Sequence, residues 1–123
     1  VTIRISAADN LYILEFPSFF MGYSFVYLTC GSEEEACSIS RKLLEEKLIA
    51  CANIFPVLSI YRWKESLEEA EEYAAFLKTE KSKVPSIIEE VKRLHSYEVP
   101  DIVEIPLGKG FQPFFQWISE VVE

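Results

Sequence analysis

From Leu48 to Tyr61 the chain carries no charged residue, and Pro56 is the only break in a run of isoleucine, valine, phenylalanine and tyrosine behind small Ala50, Cys51 and Ala52. Such a composition suits a pleated, buried or half-buried surface. Periodicity alone does not separate a buried strand from a buried helix. Pro56 in mid-run favours strand, because proline breaks a helix but is tolerated at a bulge or sheet edge. Beyond it, Val57, Ser59, Tyr61 and Trp63 alternate with Leu58, Ile60 and Arg62. The pattern from Leu48 to Trp63 far exceeds the roughly five or six residues of a common strand. It predicts a bent strand whose second half projects past its own domain. A projecting apolar strand invites pairing, so oligomerisation is expected.

The other elements follow from the same reading. Tyr23 to Thr29 is strand-like by aromatic and β-branched content. Ser32 with Glu35 three residues on forms a capping box, after which Ala36, Ile39, Ser40, Leu43 and Leu44 recur at helical spacing. Lys64 to Lys78 is ambiguous. Its residues are helix formers, and Leu67, Ala70, Ala74 and Leu77 fit one helical face. A strand would instead put Tyr73, Ala75 and Leu77 on one face and Ala74, Phe76 and Lys78 on the other. Ser82 to His95 reads as a helix capped by Ser82, with Pro85 in its first turn and a stripe of Val84, Ile87, Ile88, Val91 and Leu94. Asp101 to Leu107 is a short strand, and Pro113 to Val122 a closing helix with Phe114, Trp117, Ile118 and Val121 inward. If the ambiguous piece is a strand, the order is βαββαβ. That gives an α+β, ferredoxin-like antiparallel sheet with two helices on one face and an extra C-terminal helix.

Residues 1–20 fit this scheme least. They are either an extension upstream of a domain beginning at Met21, the only methionine, or an extra strand from Leu11 to Phe16 added to a sheet edge. The domain itself is expected over residues 21–123.

Half of the residues are hydrophobic and 26% charged, as in a soluble globular protein. The net charge of −8, with acids concentrated at Glu33–Glu35 and Glu65–Glu72, argues against a nucleic-acid partner. Cys30, Cys37 and Cys51 make an odd set without a C-x-x-C pair, which predicts a reducing, cytoplasmic setting. No stretch is long and apolar enough to span a membrane.

Several motifs together resemble the CutA divalent-cation tolerance family. They are LLEEKLIACANI (43–54), Tyr61-x-Trp63, Glu72 six residues before Lys78-Thr79, Leu94-His95-x-Tyr97-Glu98-Val99-Pro100, and Trp117-Ile118. The similarity runs from Tyr23 to Val122. It implies a ferredoxin-like fold, a homotrimer in which long strands pair between subunits, and a strand over Leu67 to Thr79 as the second arm of a long hairpin. It also implies a likeness in architecture to the trimeric PII signalling proteins, and an association with copper and other divalent cations. The chain departs from the family pattern at Glu65, where glycine is common in the hairpin turn and a different turn geometry is therefore expected. Ser96 replaces proline, and Phe114 stands at a position where tyrosine is common. Cys30 follows by one residue the position of a cysteine proposed as a copper ligand, now Thr29. A one-residue shift on a strand points to the opposite face.

Two constellations carry candidate chemistry. His95, the only histidine, offers an imidazole to copper or another divalent cation, with Cys51 or Cys30 as further ligands. Alternatively His95 caps or packs, and Cys51 is a small buried hydrophobe. The second constellation is Tyr61, Trp63, Glu72, Lys78, Tyr97 and Trp117, gathered by the hairpin, the loop after the second helix and the last helix. These would form a cleft for a small polar ligand, or an interfacial network. The leading expectation is a non-catalytic, copper-binding trimer. The alternative is a PII-like signalling or adaptor module with a small molecule or partner at its clefts. A catalytic cleft has the least support, because no nucleophile has an identifiable base partner.

Overall fold

A computed structural model describes residues 22–123 throughout and, as backbone, two strands before them. These are β1 (Thr2–Ala7) and β2 (Asn10–Glu15), which pair antiparallel in a sheet of their own. The expected strand from Leu11 is therefore present, but it pairs with β1 and not with an edge of the main sheet. The expected domain start at Met21 lies outside the described residues.

The main sheet holds β3 (Tyr23–Cys30), β4 (Cys51–Trp63), β5 (Ser66–Glu80) and β6 (Ile102–Pro106), in the order β4-β5-β3-β6 and antiparallel throughout. Helix α1 (Glu33–Glu45) follows β3, and α2 (Val84–Leu94) follows β5 after a 3-10 turn at Lys81–Lys83. This is the ferredoxin-like βαββαβ arrangement, closed by α3 (Gln112–Val121). The even positions of β3, with Ala75 and Leu77 of β5, face α1 and α2. Val26, Leu28, Ile39, Leu43, Leu77, Ile87 and Val91 are buried there. Each large aliphatic side chain so buried contributes roughly 1.5–3 kcal/mol. The other face carries a half-buried aromatic layer, Phe25, Tyr27, Phe55 and Phe76, with ring centroids 5.5–5.7 Å apart. At one end of that layer α3 adds a second small core of Ala50, Phe115, Ile118 and Val122. Of the residues expected inward, Ile118 is fully buried and Phe114 and Val121 pack half-buried against this core, whereas Trp117 is exposed and Phe115 and Val122 are buried instead.

Three local details set element boundaries. Helix α1 ends in a Schellman motif: Lys47 takes φ +58°, Leu48 N–H donates to the Leu43 carbonyl and Lys47 N–H to that of Leu44. This turns Leu48 and Ile49 into the core and delays the long strand to Cys51. Helix α2 starts at Val84 behind the 3-10 turn, so Ser82 does not cap it. At the hairpin tip, Trp63 pairs with Ser66 across the two residues Lys64 and Glu65, at φ +48° and +70°. Two consecutive left-handed residues define a type I′ turn, whose twist matches the strands it joins. The expected departure in geometry is absent: Glu65 adopts the left-handed backbone that glycine would take more easily.

Strand β3 covers β5 only from Glu80 back to Tyr73. Beyond Pro56, which pairs with Tyr73, the hairpin continues alone as Val57–Trp63 against Ser66–Glu72. Pro56 lies on the edge strand at the point where the sheet narrows to two, where its missing N–H interrupts no ladder to a third strand.

Candidate functional site

The corner where β3 ends is tied to the loop after α2. Ser32 caps α1 by accepting the Glu35 N–H at 3.1 Å, as the capping box predicts. The Glu35 carboxylate goes elsewhere: it accepts the Ser96 N–H at 2.8 Å and the Gly31 N–H at 3.4 Å. Burial works to raise the pKa of Glu35, but the bonds from Ser96 and Gly31 and the nearby His95 hold it below the ordinary carboxylate value.

His95 is the C-cap of α2, with its N–H on the Val91 carbonyl at 2.8 Å. Its ring is spanned on both sides. Nδ1 accepts the Tyr97 N–H at 3.0 Å, which leaves Nε2 to carry the proton and donate to the Thr29 carbonyl at 2.7 Å. Tyr97 then runs on from the imidazole. Its ring lies 4.7 Å from that of His95, and its hydroxyl donates to Glu72 Oε2 at 2.7 Å. Burial, the bond to Glu72 and that carboxylate's charge push the Tyr97 phenol upward in pKa. Gly31 makes room for it: a methyl group there would lie 3.1 Å from the Tyr97 hydroxyl. A relay of Thr29, His95, Tyr97 and Glu72 thus crosses from one face of the sheet to the other.

Thr29 and Cys30 divide as strand alternation requires. Thr29 faces the hairpin side, whereas Cys30 enters the helix-side core and lies beside Glu35 and His95. One donor atom from each of these three falls within 4.8 Å of the others. Sulfur, oxygen and nitrogen donors at that spacing suit a soft or borderline cation. Their present state does not. Burial, then the charges of Glu35 and Glu72, pushes the Cys30 thiol up to about 12. Both ring nitrogens of His95 are already hydrogen-bonded. As folded, the trio offers no free ligand lone pair on nitrogen and no thiolate, so a cation would have to displace the thiol proton and one hydrogen bond of His95. Cys51 is not part of it. Cys51 pairs with Lys78 and Cys30 with Tyr73, about 17 Å apart along β5 at the usual strand rise.

On the opposite side, where the hairpin leaves the sheet, is a cavity of about 570 Å³. The strands supply Thr29, Ser59, Ile60, Tyr61, Trp63 and Glu72; the loop before β6 supplies Tyr97, Glu98, Val99 and Asp101. The volume is that of a small-molecule site. Glu72 is only 7% exposed, and Thr29 holds Asp101 through its hydroxyl at 3.5 Å. Four residues of the expected cleft, Tyr61, Trp63, Glu72 and Tyr97, meet here. Lys78 and Trp117 do not. Lys78 Nζ lies 5.5 Å from the Phe25 ring and 5.4 Å from that of Phe114, and Trp117 stacks 6.0 Å from Phe114. Both belong to the α3 end of the sheet. Glu35, Glu98, Asp101 and Gly31 were missed as site residues. Glu98 was at hand in the quoted Tyr97-Glu98-Val99-Pro100 motif, whereas the helix cap accounted for Glu35 locally and concealed its reach to Ser96.

The fold and site define a ferredoxin-like protein with a projecting hairpin and a ligand-sized cleft at the hairpin's base. The chain belongs to the CutA1 family: residues 24–121 match the family described as CutA1 divalent ion tolerance protein. It is 45% identical to the divalent-cation tolerance protein CutA of Archaeoglobus fulgidus, over 82% of this chain and 99% of that one. The solved structure from the same organism, described as a periplasmic divalent cation tolerance protein, superposes with a TM-score of 0.81 at 44% identity, covering 82% and 99% of the two chains. Human protein CutA is 38% identical over 81% of this chain, which spans 56% of the human protein's length.

Proposed function

We propose that this chain acts in divalent-cation tolerance as a homotrimeric, PII-like binding module without catalysis of its own, and that the cleft beneath the hairpin is its working surface. One observation carries the reading. The projecting half of the hairpin exposes Leu58 and Leu67 at 65% and 70%, with Ile60 and Trp63 also exposed on it, and among the described residues β4 is an unpaired edge. Exposed apolar side chains on a free edge strand are a template for another chain. Val103, Ile105 and the aromatic layer extend the uncovered surface across the open face. In a trimer each cleft would lie at a boundary between subunits. Sedimentation velocity tests this at micromolar concentration. The wild type is expected to run as a trimer and the Leu58→Asp/Leu67→Asp variant as a folded monomer; a monomeric wild type overturns the reading.

A second reading, direct copper binding, is supported by the convergence of Cys30, Glu35 and His95. Binding would require the thiol proton to leave and the imidazole to give up one of its hydrogen bonds. Calorimetric titration with Cu²⁺ decides it: a tight site lost in both His95→Ala and Cys30→Ser supports it, and unchanged binding in both excludes the trio. The three free thiols support a cytoplasmic location, which cell fractionation tests.

A further inference from the structure

The chemistry of the cleft is one-sided. Its three ionisable carboxyl groups, Glu72, Glu98 and Asp101, line it together with three aromatic rings, Tyr61, Trp63 and Tyr97, and among the described residues no basic side chain lines it. Glu72 is more than nine-tenths buried, and its one hydrogen bond among the described residues is the Tyr97 hydroxyl on Oε2. A buried carboxylate beside two further acids calls for a positive charge. A single metal ion is a poor match. Among the described residues, the only trio of metal-ligating side chains with donor atoms within 4.8 Å is Cys30, Glu35 and His95, so the three cleft acids do not converge on one point. Separated carboxylates and aromatic faces in a space of about 570 Å³ match a larger cation with diffuse charge and apolar substituents. The Trp63 ring already holds a cation: Lys64 Nζ stands 5.6 Å from its centroid. Lys64 is an exposed side chain at the hairpin tip, and a ligand can displace it.

We propose that the cleft of Tyr61, Trp63, Glu72 and Tyr97 binds an organic ammonium ion, with the charge against Glu72 and its alkyl groups on the aromatic rings. Aromatic faces attract ammonium groups through their quadrupole, most strongly when the pair is desolvated. The proposal rests on the cleft being the working surface and adds the class of ligand that it takes.

The test is calorimetric titration of the full chain with three probes: choline, spermidine, and the uncharged tert-butyl analogue of choline. Salt of about 0.15 M suppresses the diffuse attraction of cations to an acidic chain. At least one ammonium should bind saturably with one site per chain, and the uncharged analogue should not. Preference for choline or for spermidine separates a quaternary from a linear polyamine ligand. Glu72→Gln should weaken binding by roughly tenfold or more, and Trp63→Leu, a change at a partly exposed position that spares the core, by about tenfold. Glu123→Gln, at the exposed chain end, should leave it unchanged. Saturable binding by neither ammonium, equal binding of the uncharged analogue, or unchanged affinity in both cleft variants overturns the proposal. Sedimentation of the same samples separates the two claims: a trimer that binds no ammonium defeats the ligand assignment alone, and a monomer that binds one defeats the trimer alone.

Discussion

The two halves of the β4–β5 hairpin have the same backbone and opposite circumstances. From Tyr73 to Lys78, β5 is flanked by β3 and β4, and Ala75 and Leu77 are buried beneath the helices. From Ser66 to Glu72 it has β4 alone, and Leu67 lies open to solvent. A two-stranded ribbon is marginal in water. The lower half is therefore held by its own chain, whereas the upper half exposes an apolar surface that none of the described residues covers. The apolar pattern runs on through both, so hydrophobicity along a strand reports burial somewhere and not burial within one subunit.

Matched substitutions break or sharpen this contrast. Leu77→Ala deletes fully buried atoms and should cost about 2–5 kcal/mol, read by chemical denaturation. Leu67→Ala deletes the same atoms from the same strand. It should cost an unassembled chain no more than about 0.5 kcal/mol while raising the concentration needed for assembly. Equal costs in dilute solution would erase the distinction. Next in size, Tyr97→Phe removes the only described hydrogen bond to Glu72, at the join of the two halves, and should cost about 1.5–3 kcal/mol. Glu65→Gly relieves a left-handed residue at the tip and should stabilise by about 1 kcal/mol.

The smallest effect is one of pH and belongs to the lower, self-sufficient part. Burial acts to raise the pKa of Glu104, but bonds from Lys81 at 2.9 Å and Ser24 at 2.6 Å bring it below its ordinary 4.5; Glu35 is lowered as well. Because the folded state binds these protons less readily than the unfolded chain, the contribution is fully present above about 4.5 and is lost as pH falls through the lowered folded values. Melting temperature should hold above that point and decline below it, less steeply in Glu104→Gln.

Period-two alternation after Pro56 was legible as strand, and Pro56 itself marks where the sheet narrows. Residues 66–80 were not legible locally, because glutamate, alanine and leucine favour helix. Pairing with β4 over residues 66–78, and with β3, some fifty positions away in sequence, over residues 73–80, decides the matter, as Tyr23 opposite Glu80 and Cys30 opposite Tyr73 show. The family resemblance supplied that strand before any geometry could. Site membership followed the same division. Tyr61, Trp63, Glu72 and Tyr97 line one cavity, whereas Lys78 and Trp117 lie elsewhere, because a list of polar and aromatic residues does not say to which end of a sheet each belongs. His95 stood out as the only histidine, but the bonds that occupy both its nitrogens come from Thr29 and Tyr97, and nothing in their sequence spacing announces them.

Hydrogen exchange along the hairpin, measured across a dilution series, tests the central claim most directly. The amides of Tyr73–Glu80 should be protected at every concentration at which the chain is folded. Those of Val57–Trp63 on the edge strand should be protected only where the chain is assembled and should become fast on dilution. Fast exchange of Val57–Trp63 at all concentrations, or protection that persists unchanged in a lone chain, would contradict the account.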